Sequence, residues 1–187
     1  MTPPRDLESL LISLDGMTLA EIEKYAKHLY RQTYLNKGHV GVHKTHDDEL
    51  LIFHGRTFDH AFYTTSDRLC HPERKDVIRK GSVERIHWIG QLVSGVIPGS
   101  ACFEVPGPTG RLRPPNRFYA AFKTPFVVWL EPRKNGGGWN FASAYPLSIE
   151  EIRNYQRGGR TVWKWKEKSP VIDRLTGPEA LSKVVKP

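Results

Sequence analysis

The stretch Trp139–Pro146, reading WNFASAYP, is an extended segment closed by a proline, and the fold has to be built around it. Side chains alternate along a strand, so Trp139, Phe141, Ser143 and Tyr145 are expected on one face and Asn140, Ala142 and Ala144 on the other. One face then carries two large rings, a hydroxyl and a phenol. The other is nearly all small and can lie close under a helix, leaving the first face to form a site. The plain alternative is a core strand whose Ser143 and Tyr145 are hydrogen-bonded internally.

The neighbouring segments read as partners for that strand. Ala101–Val105, Asn116–Lys123, Phe126–Glu131 and Thr161–Lys166 are strand-like, and Phe126–Glu131 is apolar on both faces, as a central strand should be. Pro106–Pro115, with Arg111 and Arg113, is an exposed loop, and Lys134–Gly138 a glycine turn. Ser148-x-x-Glu151 is a capping box that opens a short helix to about Tyr155. Upstream, Leu7, Leu10, Leu11 and Leu14 predict a helix over Asp6–Leu14. A second helix begins at the Thr18-x-x-Glu21 box and ends at Asn36 and Gly38. His39–Glu49 reads as a loop, Leu50–Phe53 as a short strand, and Ser82 as the cap of a helix to about Gly95. The expected fold is therefore α+β: N-terminal helices, then a helix and a four- to five-stranded antiparallel sheet. The expected divisions are a helical hairpin over 1–38, a main domain over 39–168 and a weakly structured tail over 169–187.

Composition narrows the partners. The 187-residue chain carries a formal charge of +8, which favours an anionic partner such as nucleic acid. Two cysteines, Cys70 and Cys102, are too few for a disulfide framework and wrongly grouped for zinc. His39, His43 and His46 cluster loosely without an obvious fourth ligand, so neither metal nor cofactor is expected. Met1–Leu11 does not resemble a signal peptide and no apolar run is long enough for a membrane span, which predicts a soluble, cytoplasmic protein with no membrane partner.

The chemistry sits in two places. His54–Arg68 (HGRTFDHAFYTTSDR) is dense in polar groups, and either His54 or His60 is a natural proton carrier. On the sheet, basic and aromatic residues interleave: Arg117, Tyr119, Lys123, Trp139 and Tyr145 could neutralise phosphates and stack bases. With Arg85 or Lys123 to hold a phosphorane, these are the parts for phosphodiester cleavage without metal. That reaction needs an internal nucleophile, and the RNA 2′-OH is one.

The helix containing VERIHWIG (Val83–Gly90), followed by strands of which the last core one reads FASAYP, resembles the BECR nuclease superfamily, which joins barnase, EndoU, colicin nuclease domains and RelE. The likeness is narrower to its bacterial toxin and phage-associated members and covers roughly His54 to Tyr155. It implies a metal-independent endoribonuclease that cleaves tRNA or mRNA to 2′,3′-cyclic phosphate and 5′-OH ends, neutralised by an antitoxin or immunity protein. Ser143 falls at the family's Ser/Thr position, Tyr145 at its aromatic one, and His60, ending F-D-H, at its early histidine. Arg85 and Lys123 match basic positions that stabilise the phosphate. His60 is the leading general base or acid, with His54 and His87 as alternates. Tyr145, Trp139, Tyr119 and Arg117 would contact the substrate. Departures are the serine in place of the commoner threonine, and the N-terminal helices and Thr161–Lys166 strand outside the core. Two other classes fit parts of the chain. An ADP-ribosyltransferase using NAD would have a His/Tyr-rich pocket like His54–Arg68 and a late glutamate from Glu131 or Glu150–Glu151. A non-catalytic RNA-binding module would explain charge and aromatics but not the histidines.

Overall fold

The computed structural model describes residues 7–36, 39–66, 75–106 and 115–165. Cys70, Gly38, the Arg111 and Arg113 loop, Lys166 and the tail after Ser169 lie outside the described residues. The first leucine-rich segment forms only one 3-10 turn, Glu8–Leu10. Helix α1, Leu19–Tyr34, follows the Thr18–Glu21 capping box as expected and buries Ile22, Ala26, Tyr30 and Tyr34 in one row at four-residue spacing. Next come β1 (Val40–Lys44), β2 (Leu50–His54), α2 (Thr57–Phe62), β3 (Tyr63–Thr64), β4 (Val77–Ile78), α3 (Lys80–Val83) and α4 (Trp88–Val93). Strands β5 (Ser100–Val105), β6 (Asn116–Ala121), β7 (Phe126–Pro132) and β8 (Trp139–Pro146), helix α5 (Ile149–Gly158) and β9 (Arg160–Lys164) complete the order.

The sheet corrects the sequence expectation. It is not a four- to five-stranded antiparallel sheet but a seven-stranded mixed one, ordered β1-β2-β8-β7-β6-β5-β9, with a separate β3-β4 pair. Among the described residues the one parallel contact joins β2 to β8 through Leu51↔Trp139 and Ile52↔Asn140. The missed strand β1 lies in the stretch read as a loop. Its second residue, Gly41, is buried under the end of α1, where a Cβ would come within 1.6 Å of the Tyr34 carbonyl oxygen. The single helix expected over Ser82–Gly95 is two short ones, and Ser82 lies inside α3 rather than capping a helix.

The sheet separates two apolar layers. On one face α1 to α4 pack over Phe53, Tyr119, Val128, Leu130 and Phe141. On the other, Ile152 of α5 packs over Phe103, Phe118, Ala120 and Val127. That single helix covers the β5–β7 part of its face and leaves the β1 end open, where Val40 and Val42 are 44% and 53% exposed. Among the described residues no helix is long and apolar enough to cross a membrane.

Candidate functional site

The site originates in a break of alternation in β8. Pairing with β7 runs Trp129↔Ser143 and then Leu130↔Phe141, so Ala142 is an extra residue forming a bulge. Before the bulge, Trp139 and Phe141 point into the α1–α4 layer; after it, Ala144 does so. Ser143 and Tyr145 are thereby turned to the opposite face, with Tyr145 against the α5 layer. The expectation that Trp139, Phe141, Ser143 and Tyr145 share a face is corrected: the bulge divides them into two pairs.

Around the re-aimed pair lies a cleft of about 1010 Å³, lined among others by His60, Lys75, Arg79, Ser82, Ser143 and Tyr145. Helix α2 brings His60 in. Its Phe58, Ala61 and Phe62 are buried, and this spacing leaves His60 exposed on the outer side. On the other wall α3 presses against the end of β8, where a Cβ on Gly81 would meet Pro146 Cγ at 3.0 Å. Ser82 is completely buried, and its Oγ has no hydrogen-bond partner among the described residues.

The charge in the cleft is oriented. Arg79 Nε and Nη2 donate to the Tyr63 carbonyl at 3.0 and 2.8 Å, and its guanidinium sits 5.0 Å from the Tyr145 ring centroid. One face of Tyr145 is thus occupied by a cation. The Tyr145 oxygen accepts from Trp129 Nε1 at 3.0 Å, which leaves its own O–H free to donate. Burial raises the phenol above its ordinary pKa, with the Trp129 hydrogen bond opposing, so it keeps its proton at neutral pH. At the rim, Glu151 is engaged in the cap of α5, accepting from Ser148 Oγ at 2.6 Å and Ser148 N at 3.0 Å.

No protein-family model, curated protein or solved structure matches this chain.

Of the ten residues the sequence singled out, His60, Ser143 and Tyr145 line the cleft. The others do not. His54 ends β2 half-buried, its carbonyl accepting from Tyr30 Oη at 3.1 Å. His87 lines a separate depression with Thr33, Tyr34 and His43. Arg85 stands behind the α3 wall, with Nη1 donating to Gly81 O and to Glu84, both at 3.0 Å, and its guanidinium over Trp88. Lys123 is exposed in the turn between β6 and β7. Arg79, Lys75 and Ser82 were not singled out by sequence. Arg79 and Lys75 fall in the charged run Cys70–Lys80, and Ser82 reads as a helix cap.

Arg117, Tyr119 and Trp139 lie on the other face, inside a buried polar network. Arg117 pairs with Asp47 at 2.8 Å and Glu49 at 3.2 Å, and lies 4.5 Å from the Trp139 ring centroid. Trp139 Nε1 donates to Glu49, and His46 Nδ1 is 2.8 Å from Tyr119 Oη. These groups hold the β1–β2 loop to β6 and do not offer a face to RNA. Cys102 lies in the same layer, where burial pushes its thiol up to about 12, an inert core thiol. Among the described residues no three His, Cys, Asp or Glu side chains converge to hold a metal ion.

The network makes the fold acid-sensitive. Burial lowers the His46 pKa below its ordinary 6.5, with Asp47 opposing. The unfolded chain binds that proton first, so this share of stability is complete above about 6.5 and drains as pH falls through the folded value. For Asp47, burial acts upward, but the hydrogen bonds from Arg117 and Thr45 outweigh it and hold the carboxyl below 3.8. Its share is present above that value and lost as pH falls through the folded one. Thermal melts between pH 7 and 3 are expected to show two successive losses, with His46→Gln removing the first. A flat profile from pH 7 to 5 would contradict this.

Proposed function

We propose that the cleft binds RNA and cleaves it by attack of the 2′-OH, making the protein a metal-independent endoribonuclease. The observation that carries the reading is the convergence of His60 with Ser143, Tyr145, Lys75 and Arg79 in one cleft. A proton carrier, hydroxyl donors and two cations are the groups that phosphodiester transfer asks of a site whose nucleophile comes with the substrate.

The roles follow from chemistry. His60 takes the 2′-OH proton as the 2′-oxygen bonds to phosphorus. Arg79 and Lys75 face the charge that builds on the non-bridging oxygens, and Ser143 donates to one of them. The P–O5′ bond then breaks, and Tyr145, held protonated, supplies the proton to the departing 5′-oxygen. The products are a 2′,3′-cyclic phosphate and a 5′-OH. DNA lacks the nucleophile and would bind without being cut.

The test is purified protein with total RNA in EDTA, with the product ends analysed. Cleavage with cyclic phosphate ends is expected. Binding without cleavage, in EDTA or with added magnesium, would make this a non-catalytic RNA-binding module instead.

A further inference from the structure

The cleft has a second lobe whose chemistry differs from the first. A smaller hollow of about 190 Å³ is lined by Asn116, Trp129, Glu131 and Ala142 together with His60, Ser143 and Tyr145. The last three residues also line the main cleft, so they form the septum between the two lobes. The large lobe holds the cations Lys75 and Arg79; the small one holds a carboxylate, an amide and an indole.

The carboxylate and the amide are poised rather than occupied. Glu131 is exposed near the end of β7, and its carboxylate has no hydrogen bond or ion pair among the described residues. Asn116 opens β6, one residue before the Arg117↔Leu130 pair, which sets it beside Glu131. Its side-chain amide is likewise unengaged among the described residues. Trp129 is the opposite case: it is locked. Its ring packs against Phe118 at 4.6 Å and edge-on to Tyr155 at 5.0 Å, and its Nε1 is tied to Tyr145. A fixed, half-buried aromatic wall beside a free carboxylate and a free amide is the equipment for stacking a flat heterocycle and reading its polar edge.

We propose that this lobe is the base-recognition subsite for the nucleotide whose 2′-OH attacks, and that it takes a base bearing an exocyclic amine in preference to uracil. The inference rests on the ribonuclease reading above. Adjacency to His60 ties the lobe to the attacking nucleotide, because His60 takes that nucleotide's 2′-proton. Glu131 is an acceptor only, so it demands N–H donors. Adenine and cytosine offer an amino group beside a ring nitrogen that the Asn116 amide can donate to. Guanine offers two adjacent N–H groups to the carboxylate and an oxygen to the amide. Uracil has one N–H flanked by two carbonyls, and at least one of them faces the carboxylate with no proton between.

The experiment uses DNA oligomers carrying a single ribonucleotide, rA, rC, rG or rU, so that cleavage occurs only at that base. The wild type is expected to cleave the rU oligomer roughly tenfold less efficiently than the best of the other three, the discrimination typical of one well-placed edge contact. Glu131→Gln supplies a donor as well as an acceptor, and is expected to erase that gap while rU cleavage persists. Equal kcat/KM for all four oligomers, or a preference that survives Glu131→Gln, would overturn the proposal. If the wild type cleaves nothing, the ribonuclease reading fails separately. The affinities of 2′-O-methyl A, C, G and U tetramers, by fluorescence anisotropy, then decide the base preference: a weaker U tetramer that recovers in Glu131→Gln supports the subsite, and equal affinities refute it.

Discussion

Replacing His60 by alanine is expected to lower RNA cleavage on the order of a hundredfold or more, the usual contribution of a positioned proton carrier. The fold should not respond. His60 is exposed on α2, while Phe58, Ala61 and Phe62 hold that helix to the core, so the urea midpoint should move by less than about 0.5 kcal/mol in stability. RNA affinity at fixed salt should also stay near wild type, because Lys75 and Arg79 remain to neutralise phosphates. The alternates give the control: His54 and His87 lie outside the cleft, and their alanine variants should cleave normally. A His60→Ala protein that cleaves at the wild-type rate would remove His60 from the chemistry.

Arg117→Ala is expected to cost about 3 kcal/mol of stability, the lower end for breaking a buried ion pair from one side. For a chain of this size that is a fall in Tm of roughly 6–12 °C. Arg117 is only 4% exposed and answers two carboxylates and the Trp139 ring. The lower end applies because the Asp47 and Glu49 side chains are 33% and 45% exposed and can recover water once the cation is gone. Arg117→Lys should recover only part of the loss, since an ammonium cannot make the two-pronged contact with Asp47 or stack on the indole. RNA binding supplies the contrast. A residue that contacts phosphate changes the salt slope of affinity by about one when removed, and Arg117→Ala should not change it. A stability loss under 1 kcal/mol, or a reduced salt slope, would return Arg117 to the binding surface.

What could be read from the chain alone was what depends on neighbouring residues. Both capping boxes, Thr18–Glu21 and Ser148–Glu151, formed because the serine or threonine and its glutamate are three residues apart and need no distant partner. Strands β5 to β8 appeared close to their expected bounds because alternation and turn residues are local signals. Phe58, Ala61 and Phe62 stand at helical spacing, and α2 could have been read from them; the polar density of the segment concealed it.

Tertiary structure alone decided the site. The bulge at Ala142 exists only because β8 pairs with β7 in that register, and it separates Ser143 and Tyr145 from Trp139 and Phe141. No pattern within WNFASAYP predicts it. Arg117 and Tyr119 look like a binding face until Asp47, Glu49 and His46 arrive from the β1–β2 loop to bury them. The parallel contact of β2 with β8, which makes the sheet seven-stranded and mixed, joins segments far apart in the chain. Local propensity selects an element, but pairing partners and burial depend on the free energy of the whole packed layer. The sequence alone determined strands β5 to β8, the two capping boxes and three members of the cleft. Which faces those residues share, and that Arg79, Lys75 and Ser82 join them, was decided by packing.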